Sequence, residues 1–231
     1  AQVLYPNLGG VGSQAWWKMG EPELMLECVR AYNDFQIDWI EPDPKRFVPI
    51  LATPYWDVET SVKEIERSAA RGHKGILFSG APQNLGQPFL GDKHWDPIWA
   101  AARAADLPIS FHIGSGSNIE DDFSKERIRT DGMPVTYARL STKEFMNNGI
   151  QLADLLMSGV LPRFPGLKFV SVESGIGWLP FLLESVDYHF KAADVRADRP
   201  EFAQLPSEYF REQVYTCCLL YTSPSPRDSI A

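Results

Sequence analysis

Cysteine and histidine are scarce in this sequence, and their spacing excludes several kinds of site. The 231 residues include three cysteines and four histidines. The cysteine count is odd, Cys217 and Cys218 are adjacent, and no Cys-x-x-Cys pair occurs, so we expect neither a disulfide framework nor a structural zinc site. This pattern favours a reducing, cytoplasmic location. No His-x-His or His-x-x-x-His pair occurs, so the spacing of the histidines reveals no metal site.

Excess positive charge and long apolar runs are also missing. The sequence has 22 Lys and Arg residues against 30 Asp and Glu residues, a formal net charge of −8. We therefore expect no nucleic-acid partner, because a phosphate backbone would not be neutralised. No apolar run approaches the roughly 18 residues that span a bilayer, so we expect no membrane partner. The content of 44% hydrophobic and 23% charged residues is typical of a soluble globular protein.

The two ends of the sequence differ from ordinary native termini. It opens AQVLYPN, without a Met and without the basic and apolar regions of a signal peptide. Its last residues, TSPSPRDSIA, show no periodicity and resemble a translated adapter or vector tail. We therefore expect residues 1–217 to form one domain and residues 218–231 to be a non-native or disordered tail.

The sequence does contain a regular alternation of apolar strands and amphipathic helices. Strands are predicted at residues 3–5, 46–52, 75–78, 107–113, 168–172 and 213–217. The intervening segments have helical periodicity, except for a polar loop predicted over residues 114–134. This alternation indicates parallel β/α units, which a closed (β/α)8 barrel or an open doubly wound sheet would both contain. The barrel is favoured because no G-x-G-x-x-G turn follows the first strand.

Candidate functional residues lie where the strands end, because the active site of a β/α barrel is at the carboxyl ends of its strands. These positions hold Asn7, Thr53, Ser79, His112, Glu173 and Thr216. His112 and Glu173 stand out, since a carboxylate directly after a buried strand is costly without a partner or ligand. The alternatives are that His112 is a hydrogen-bonded structural residue and that Glu173 caps the following turn.

The remaining polar candidates are interpreted as structural or solvated. His73 lies in a helix–strand turn at the opposite end of the strands, His94 lies on a predicted surface loop, and His189 lies late in a predicted helix. The acidic pair Asp121–Asp122 lies in the polar loop. Ser115 and Ser117 lie near His112, but no G-x-S-x-G nucleophile elbow surrounds them.

Seven short segments of the sequence, taken together, carry a recognisable resemblance. They are SGVLPRFPGLK (158–168), VESGIGWLP (172–180), WDPIWAAA (95–102), LPISFH (107–112), LYP (4–6), AYND (31–34) and RFVP (46–49). These segments resemble the amidohydrolase-related family, in the branch that includes aminocarboxymuconate-semialdehyde decarboxylase and aromatic-acid decarboxylases. Each piece is short, but their order and spacing are specific. The likeness covers nearly all of residues 1–217.

This resemblance implies a metal-dependent TIM barrel, usually with zinc. The family's ligands are an H-x-H on strand one, a His on strand five and an Asp after strand eight, and a strand-six His commonly acts on the metal-bound water. His112 matches the strand-five metal ligand. Glu173 falls at the strand-six position as the catalytic residue, a departure from His. The resemblance therefore implies an incomplete α/β barrel with about strands two to seven, truncated at both ends.

The function implied by the resemblance is hydrolysis of a small organic substrate through a metal-activated water, with a divalent metal, Zn²⁺ in the usual case, as cofactor. Nonoxidative decarboxylation on the same metal site and a non-catalytic ligand-binding role are the alternatives. The resemblance leaves open whether the protein forms a homo-oligomer. The 231-residue chain itself is expected to be inactive and poorly soluble, because it lacks most ligands of the family and two strands.

Overall fold

The strands form one parallel sheet in sequential order. The computed structural model describes residues 2–5, 19–116 and 123–217. Within these ranges the strands are β1 (Gln2–Leu4), β2 (Phe47–Ala52), β3 (Gly75–Phe78), β4 (Ile109–His112), β5 (Phe169–Val172) and β6 (Val214–Thr216). Each strand pairs in parallel with the next, in the order β1-β2-β3-β4-β5-β6. All six lie within one residue or two of the bounds predicted from the sequence.

Helices connect the strands. They are α1 (Pro22–Ile40), α2 (Val58–Arg71), α3 (Asp96–Ala104), α4 (Lys125–Asp131), α5 (Met133–Met157), α6 (Val160–Arg163), α7 (Leu179–Ala192), α8 (Val195–Asp198) and α9 (Pro206–Gln213). Short 3-10 turns occupy Pro44–Arg46, Pro82–Leu85 and Lys93–Trp95. None of the helices in the described ranges is both long and apolar enough to cross a bilayer.

Helix α2 shows how local sequence sets the ends of an element. The side chain of Asp57 accepts a hydrogen bond of 2.7 Å from the backbone N–H of Thr60, which satisfies one of the free donors at the helix start. Gly72 ends the helix in the left-handed region, at a φ of 111°. A residue without Cβ adopts that conformation at little cost. Both ends of the helix are therefore set by residues directly next to it.

The main core lies between the sheet and its helices. Phe78, Phe111 and Phe169 come from three neighbouring strands, and all are buried on the face that meets the helices. Trp99 of α3 packs on this row, with ring centroids 4.9 Å from Phe78 and 5.9 Å from Phe169. Burying a large apolar side chain stabilises a fold by about 1.5–3 kcal/mol. This aromatic layer therefore holds α3 against the centre of the sheet.

A buried polar network forms hydrogen bonds with the last residue of β2, on the edge of the strand where β1 is too short to pair with it. β1 ends at Leu4, which pairs with Pro49, so the backbone of Ala52 has no partner in β1. Asn33 of α1 replaces that partner: it accepts from the N–H of Ala52 at 2.8 Å and donates to its carbonyl at 3.0 Å. Asn33 also donates to the buried carboxylate of Glu64 at 2.7 Å. The contacts join α1 and α2 to the end of β2.

The sheet is curled, as in the wall of a barrel. Neighbouring strands lie about 4.8 Å apart, so β1 and β4 would be roughly 14 Å apart in a flat sheet. Yet the hydroxyl of Tyr5, directly after β1, donates to Oγ of Ser110 on β4 at 3.1 Å. This cross-sheet contact requires strong curvature. The incomplete (β/α)8 barrel is confirmed, whereas the sequential strand order excludes the doubly wound sheet.

The prediction of a polar loop over residues 114–134 is wrong for the second half of that range. Helix α4 and the start of α5 lie there. Ser124 caps α4 by accepting from the N–H of Arg127 at 3.3 Å, and Arg127 pairs with Asp131 at 3.1 Å one turn later. Such a short helix is held by polar contacts, so it leaves no apolar periodicity in the sequence. Asn7, Ser117, Asp121, Asp122 and the predicted tail 218–231 lie outside the described residues.

Candidate active site at the carboxyl ends of the strands

The structure brings together the two residues that the sequence singles out. His112 is the last residue of β4 and Glu173 directly follows β5, its parallel neighbour. Nε2 of His112 lies 3.4 Å from Oε2 of Glu173. The two side chains are 27% and 56% exposed, so both are accessible from solvent. The pair therefore forms the polar centre of the strand ends, where a barrel enzyme places its chemistry.

Hydrogen bonding assigns the proton of the His112 ring. Nδ1 lies 2.9 Å from the carbonyl oxygen of Ile113, and only a protonated ring nitrogen can donate to a carbonyl. In a neutral imidazole this leaves Nε2 with a lone pair directed at the Glu173 carboxylate. Two acceptors that face each other need a proton or a cation between them. The arrangement is thus suited to hold one positive charge.

Glu173 is held in an unusual backbone conformation by the loop that follows it. Its φ is 59°, in the left-handed region that disfavours side chains with a Cβ. The next residue, Ser174, is fully buried, and its Oγ lies 2.6 Å from Oγ of Ser171 on β5. Its carbonyl accepts from Nε1 of Trp178 at 2.8 Å. These contacts hold the residue directly after Glu173 in place, and strained residues cluster at functional sites.

Tyr5 is a site residue that the sequence pattern does not single out. Its ring lies 4.9 Å from that of His112, tilted by 55°, and its hydroxyl donates to Ser110. Burial raises the pKa of Tyr5 to about 12, and the nearby Cys217 and Glu173 add to this. The phenol is therefore neutral at ordinary pH. The available signal was its place at the end of the first apolar strand, where Asn7 was named instead.

Two buried amides of helix α5 reach the strand that carries His112. Asn148 donates to the carbonyl of Phe111 at 3.2 Å and to Oγ of Ser171 at 2.8 Å. Gln151, one helical turn further, donates to the carbonyl of Ser115 at 2.8 Å. A single polar residue within an amphipathic helix gives no periodic signal, so the sequence does not reveal either of them.

The side chains of two other strand-end residues form hydrogen bonds with the backbone. Thr53 donates to the carbonyl of Leu77 at 2.8 Å, and Oγ of Ser79 accepts from the N–H of Ala81 at 3.2 Å. Both side chains are about 1% exposed. Thr216 lies on β6, the other edge of the sheet from β1. Thr53 and Ser79 therefore shape the strand ends rather than present reactive groups.

The remaining histidines are consistent with structural or solvated roles. His73 is 2% exposed, and its Nδ1 lies 3.1 Å from the carbonyl of Ser68 at the end of α2. Burial lowers the pKa of His73, so the ring is neutral near pH 7. The ring of His94 packs on the edge of Trp95, and that of His189 on the edge of Tyr188.

The His112–Glu173 pair fits as part of a divalent-metal site. Two atoms bound to one cation at about 2.0–2.2 Å lie roughly 2.8–3.6 Å apart, depending on the angle between them. The observed 3.4 Å falls within this range. Among residues 2–5, 19–116 and 123–217, no group of three or more His, Cys, Asp or Glu side chains is arranged to hold a metal ion. The pair has the spacing of two ligands of one cation, and it does not complete a site within these ranges.

A comparison with protein families identifies the fold family. The family described as amidohydrolase matches residues 19–229. The chain belongs to the amidohydrolase family. The matched range continues past residue 217, and the domain boundary placed there stays a prediction.

Relatives of this chain include named decarboxylases. The chain is 25% identical to the gamma-resorcylate decarboxylase of Polaromonas sp. over 199 residues, which is 82% of this chain and 56% of the relative. It is 29% identical to the decarboxylase orsB of Emericella nidulans over 163 residues, 68% of this chain and 47% of the relative. The chain spans about half the length of these curated relatives.

A solved structure of similar fold is also a decarboxylase. It is a 5-carboxyvanillate decarboxylase of Novosphingobium aromaticivorans, in a variant form with bound manganese and 3-methoxy-4-hydroxy-5-nitrobenzoic acid. The TM-score is 0.69 at 23% identity, and the match covers 93% of this chain and 58% of that chain. The relatives thus agree with the branch of the family that the sequence motifs indicate.

Proposed function

We propose that the protein containing this chain is a divalent-metal-dependent decarboxylase of a small aromatic carboxylic acid, and that this chain supplies the strands carrying His112 and Glu173. The observation that carries the proposal is the 3.4 Å approach of His112 Nε2 to Glu173 Oε2 at the strand ends. It is supported by curated relatives that are named decarboxylases.

The reaction needs a proton at a defined carbon. Loss of CO2 from an aromatic acid begins when a proton adds to the ring carbon that bears the carboxylate. The bond from that carbon to the carboxylate then breaks, its electron pair restores the aromatic ring, and CO2 leaves. The carboxyl oxygen of Glu173 that does not face His112 holds the proton in this proposal, because the carboxyl is exposed at the strand ends and lies beside His112.

In this proposal His112 binds the cation, and Tyr5 holds the His112 ring in place. A bound divalent cation would withdraw electron density from the oxygens of the substrate. His112 is proposed as a ligand through Nε2, with its ring fixed by the Nδ1 contact to the Ile113 carbonyl. The neutral ring of Tyr5 lies against the imidazole and limits its rotation.

The identity of the cation is open between Mn²⁺ and Zn²⁺. Zinc is the expectation from the family resemblance, whereas the similar solved decarboxylase contains manganese. Imidazole and carboxylate ligands accept both ions.

Hydrolysis is the second candidate, and it was the primary expectation from the sequence. The match to the amidohydrolase family favours it, while the named functions of the relatives favour decarboxylation. Both reactions would use the same strand ends, so a substrate test must separate them.

The test uses the product of the complete open reading frame that encodes this chain, loaded with Mn²⁺ or Zn²⁺. Gamma-resorcylate and 5-carboxyvanillate are assayed for CO2 release, in parallel with a panel of amides, esters and lactones. We expect metal-dependent CO2 release. Hydrolysis without CO2 release would establish the second candidate instead, and loaded enzyme that turns over no aromatic carboxylate would contradict the proposal. The 231-residue chain alone is expected to be inactive.

A further inference from the structure

Asn148 joins the two strand ends that carry the site. Its side chain leaves α5 and is 2% exposed. One amide hydrogen goes to the carbonyl of Phe111, the residue before His112, at 3.2 Å. The other goes to Oγ of Ser171, two residues before Glu173, at 2.8 Å. One rigid amide group therefore sets the distance between the backbone next to His112 and the strand next to Glu173.

The contact continues to the strained residue itself. Oγ of Ser171 lies 2.6 Å from Oγ of Ser174, and both serines are fully buried. Ser174 directly follows Glu173, whose φ of 59° places its carboxylate toward His112. The chain of hydrogen bonds thus runs from Asn148 through two hydroxyls to the peptide that orients Glu173.

Two further residues of α5, close to Asn148 in the sequence, contact the loops that follow Glu173 and His112. Gly149 lies so close to the indole of Trp178 that a Cβ there would be 3.1 Å from Cε3 of the ring. Trp178 in turn donates to the carbonyl of Ser174. Gln151 holds the carbonyl of Ser115, three residues after His112. Helix α5 therefore contacts the backbone before and after His112 and the loop after Glu173.

We propose that Asn148 is a positioning residue that fixes the spacing of His112 Nε2 and Glu173 Oε2 for binding one divalent cation. The proposal rests on the proposed function, in that it assigns the cation to this pair. Asn148 touches neither the cation nor the substrate; it acts through the two strands that carry the ligands. Residues that orient metal ligands typically change metal affinity by 10–100-fold when they are removed.

Asn33 provides a matched control. It is also a fully buried asparagine on a helix, and it also makes two hydrogen bonds to the end of a strand, at Ala52. It serves β2 rather than β4 and β5. A purely structural role for Asn148 would therefore give Asn148→Ala and Asn33→Ala the same consequences.

The experiment measures Mn²⁺ alone, without substrate. The product of the complete open reading frame is titrated with Mn²⁺, and the free ion is followed by electron paramagnetic resonance, for the wild type, Asn148→Ala and Asn33→Ala. We expect both variants to lower the Tm. Asn148→Ala should weaken the Mn²⁺ affinity by about tenfold or more, whereas Asn33→Ala should stay within about twofold of the wild type.

A milder variant keeps the test decisive if Asn148→Ala does not fold. Ser171→Ala removes only the hydroxyl that receives the Asn148 amide, and it should weaken Mn²⁺ binding several-fold with a smaller loss of Tm. Equal Mn²⁺ affinities of the wild type and both site variants, or an equal weakening in Asn33→Ala, would overturn the role of Asn148 while leaving the decarboxylase proposal intact. A wild type that binds neither Mn²⁺ in this titration nor Zn²⁺ in equilibrium dialysis would overturn both.

Discussion

The side chain of His112 meets that of Glu173 because their strands are parallel neighbours. His112 is opposite Val172 in the register of β4 and β5, so Glu173 follows one residue beyond the ladder. A regular strand would carry this next side chain to the other face. The positive φ of Glu173 breaks the alternation and brings its carboxylate to 3.4 Å from the imidazole. The contact depends on one strained peptide.

Replacing the carboxyl of Glu173 by an amide should remove most of the activity and change the stability little. Glu173→Gln keeps the shape but cannot hold a transferable proton, so we expect decarboxylation to fall by about 10²–10⁴-fold, the usual contribution of general acid–base catalysis. The exposed pair contributes about 0–1 kcal/mol to folding, so the Tm should change little. Turnover numbers with gamma-resorcylate measure the effect. Glu184→Gln, an exposed glutamate on α7, is the control and should keep wild-type turnover.

The strain at Glu173 predicts that glycine is more stable than alanine at this position. Both variants lose the carboxylate, but only glycine adopts a φ of 59° without a Cβ clash. We expect the free energy of unfolding of Glu173→Gly to be about 1 kcal/mol higher than that of Glu173→Ala. Urea denaturation measures the difference.

Asp106 offers the control for this comparison, since its φ of 53° is also positive and it lies at the end of α3. Asp106→Gly should likewise exceed Asp106→Ala in stability, and both should bind Mn²⁺ as the wild type does. Equal stabilities of the two Glu173 variants would show that the backbone there is unstrained.

The buried carboxylate of Glu64 predicts a loss of stability in acid. Burial alone would raise the pKa of Glu64, but hydrogen bonds from Arg67 and Asn33 outweigh it, so the pKa lies below its ordinary value of 4.5. The charged form therefore stabilises the fold above pH 4.5, and this contribution is lost as the pH falls through the lower, folded-state pKa.

Glu64→Gln tests this linkage. At pH 7 it should cost roughly 1.5–3 kcal/mol in the free energy of unfolding, the range for hydrogen bonds to charged groups, and it should flatten the fall of that free energy below pH 4.5. Urea titrations at several pH values measure this. Glu66→Gln, an exposed neighbour on α2, should keep the wild-type pH profile; an unchanged acid slope in Glu64→Gln would contradict the assignment.

The close approach of Gly80 to Gln151 predicts an intolerant glycine. A Cβ at residue 80 would overlap Oε1 of Gln151 and lie 2.9 Å from its Cβ. Gln151 is buried and holds the carbonyl of Ser115, so it cannot move away freely. We expect Gly80→Ala to cost about 1–3 kcal/mol in the free energy of unfolding.

Gly177 is the matched case, because a Cβ there would meet no atom within 4 Å. Gly177→Ala should be neutral or slightly stabilising. Thermal unfolding compares the two, and a Gly80→Ala protein as stable as Gly177→Ala would refute the packing argument.

The sequence predicts the strands well because their signals are local. Each of β2 to β5 is a short apolar run bounded by turn residues, and such a run needs no distant information to be found. Helix α4 was missed because its stabilisation comes from the Ser124 cap and the Arg127–Asp131 pair, which leave the stretch polar throughout.

The sequence predicts which two residues form the centre of the candidate site, but it does not predict how their side chains are arranged. Barrel geometry places His112 and Glu173 at the same end of the sheet, yet their 3.4 Å contact depends on the φ of one residue. Tyr5 and Asn148 join them through tertiary contacts, with Ser110 across the barrel and with two strands from a helix. Such contacts appear only when the chain is folded.

The sequential strand order also sets how this chain can fold. Each of the described strands β2 to β6 pairs with the strand made just before it, so each β/α unit can dock on its predecessor as the polypeptide leaves the ribosome. The Tyr5–Ser110 hydrogen bond is different, because its partners are 105 residues apart. It can form only after the fourth strand is in place. The bond that reports the curl of the sheet therefore cannot precede the docking of β4, and the His112–Glu173 contact must also wait for β5, which Glu173 directly follows.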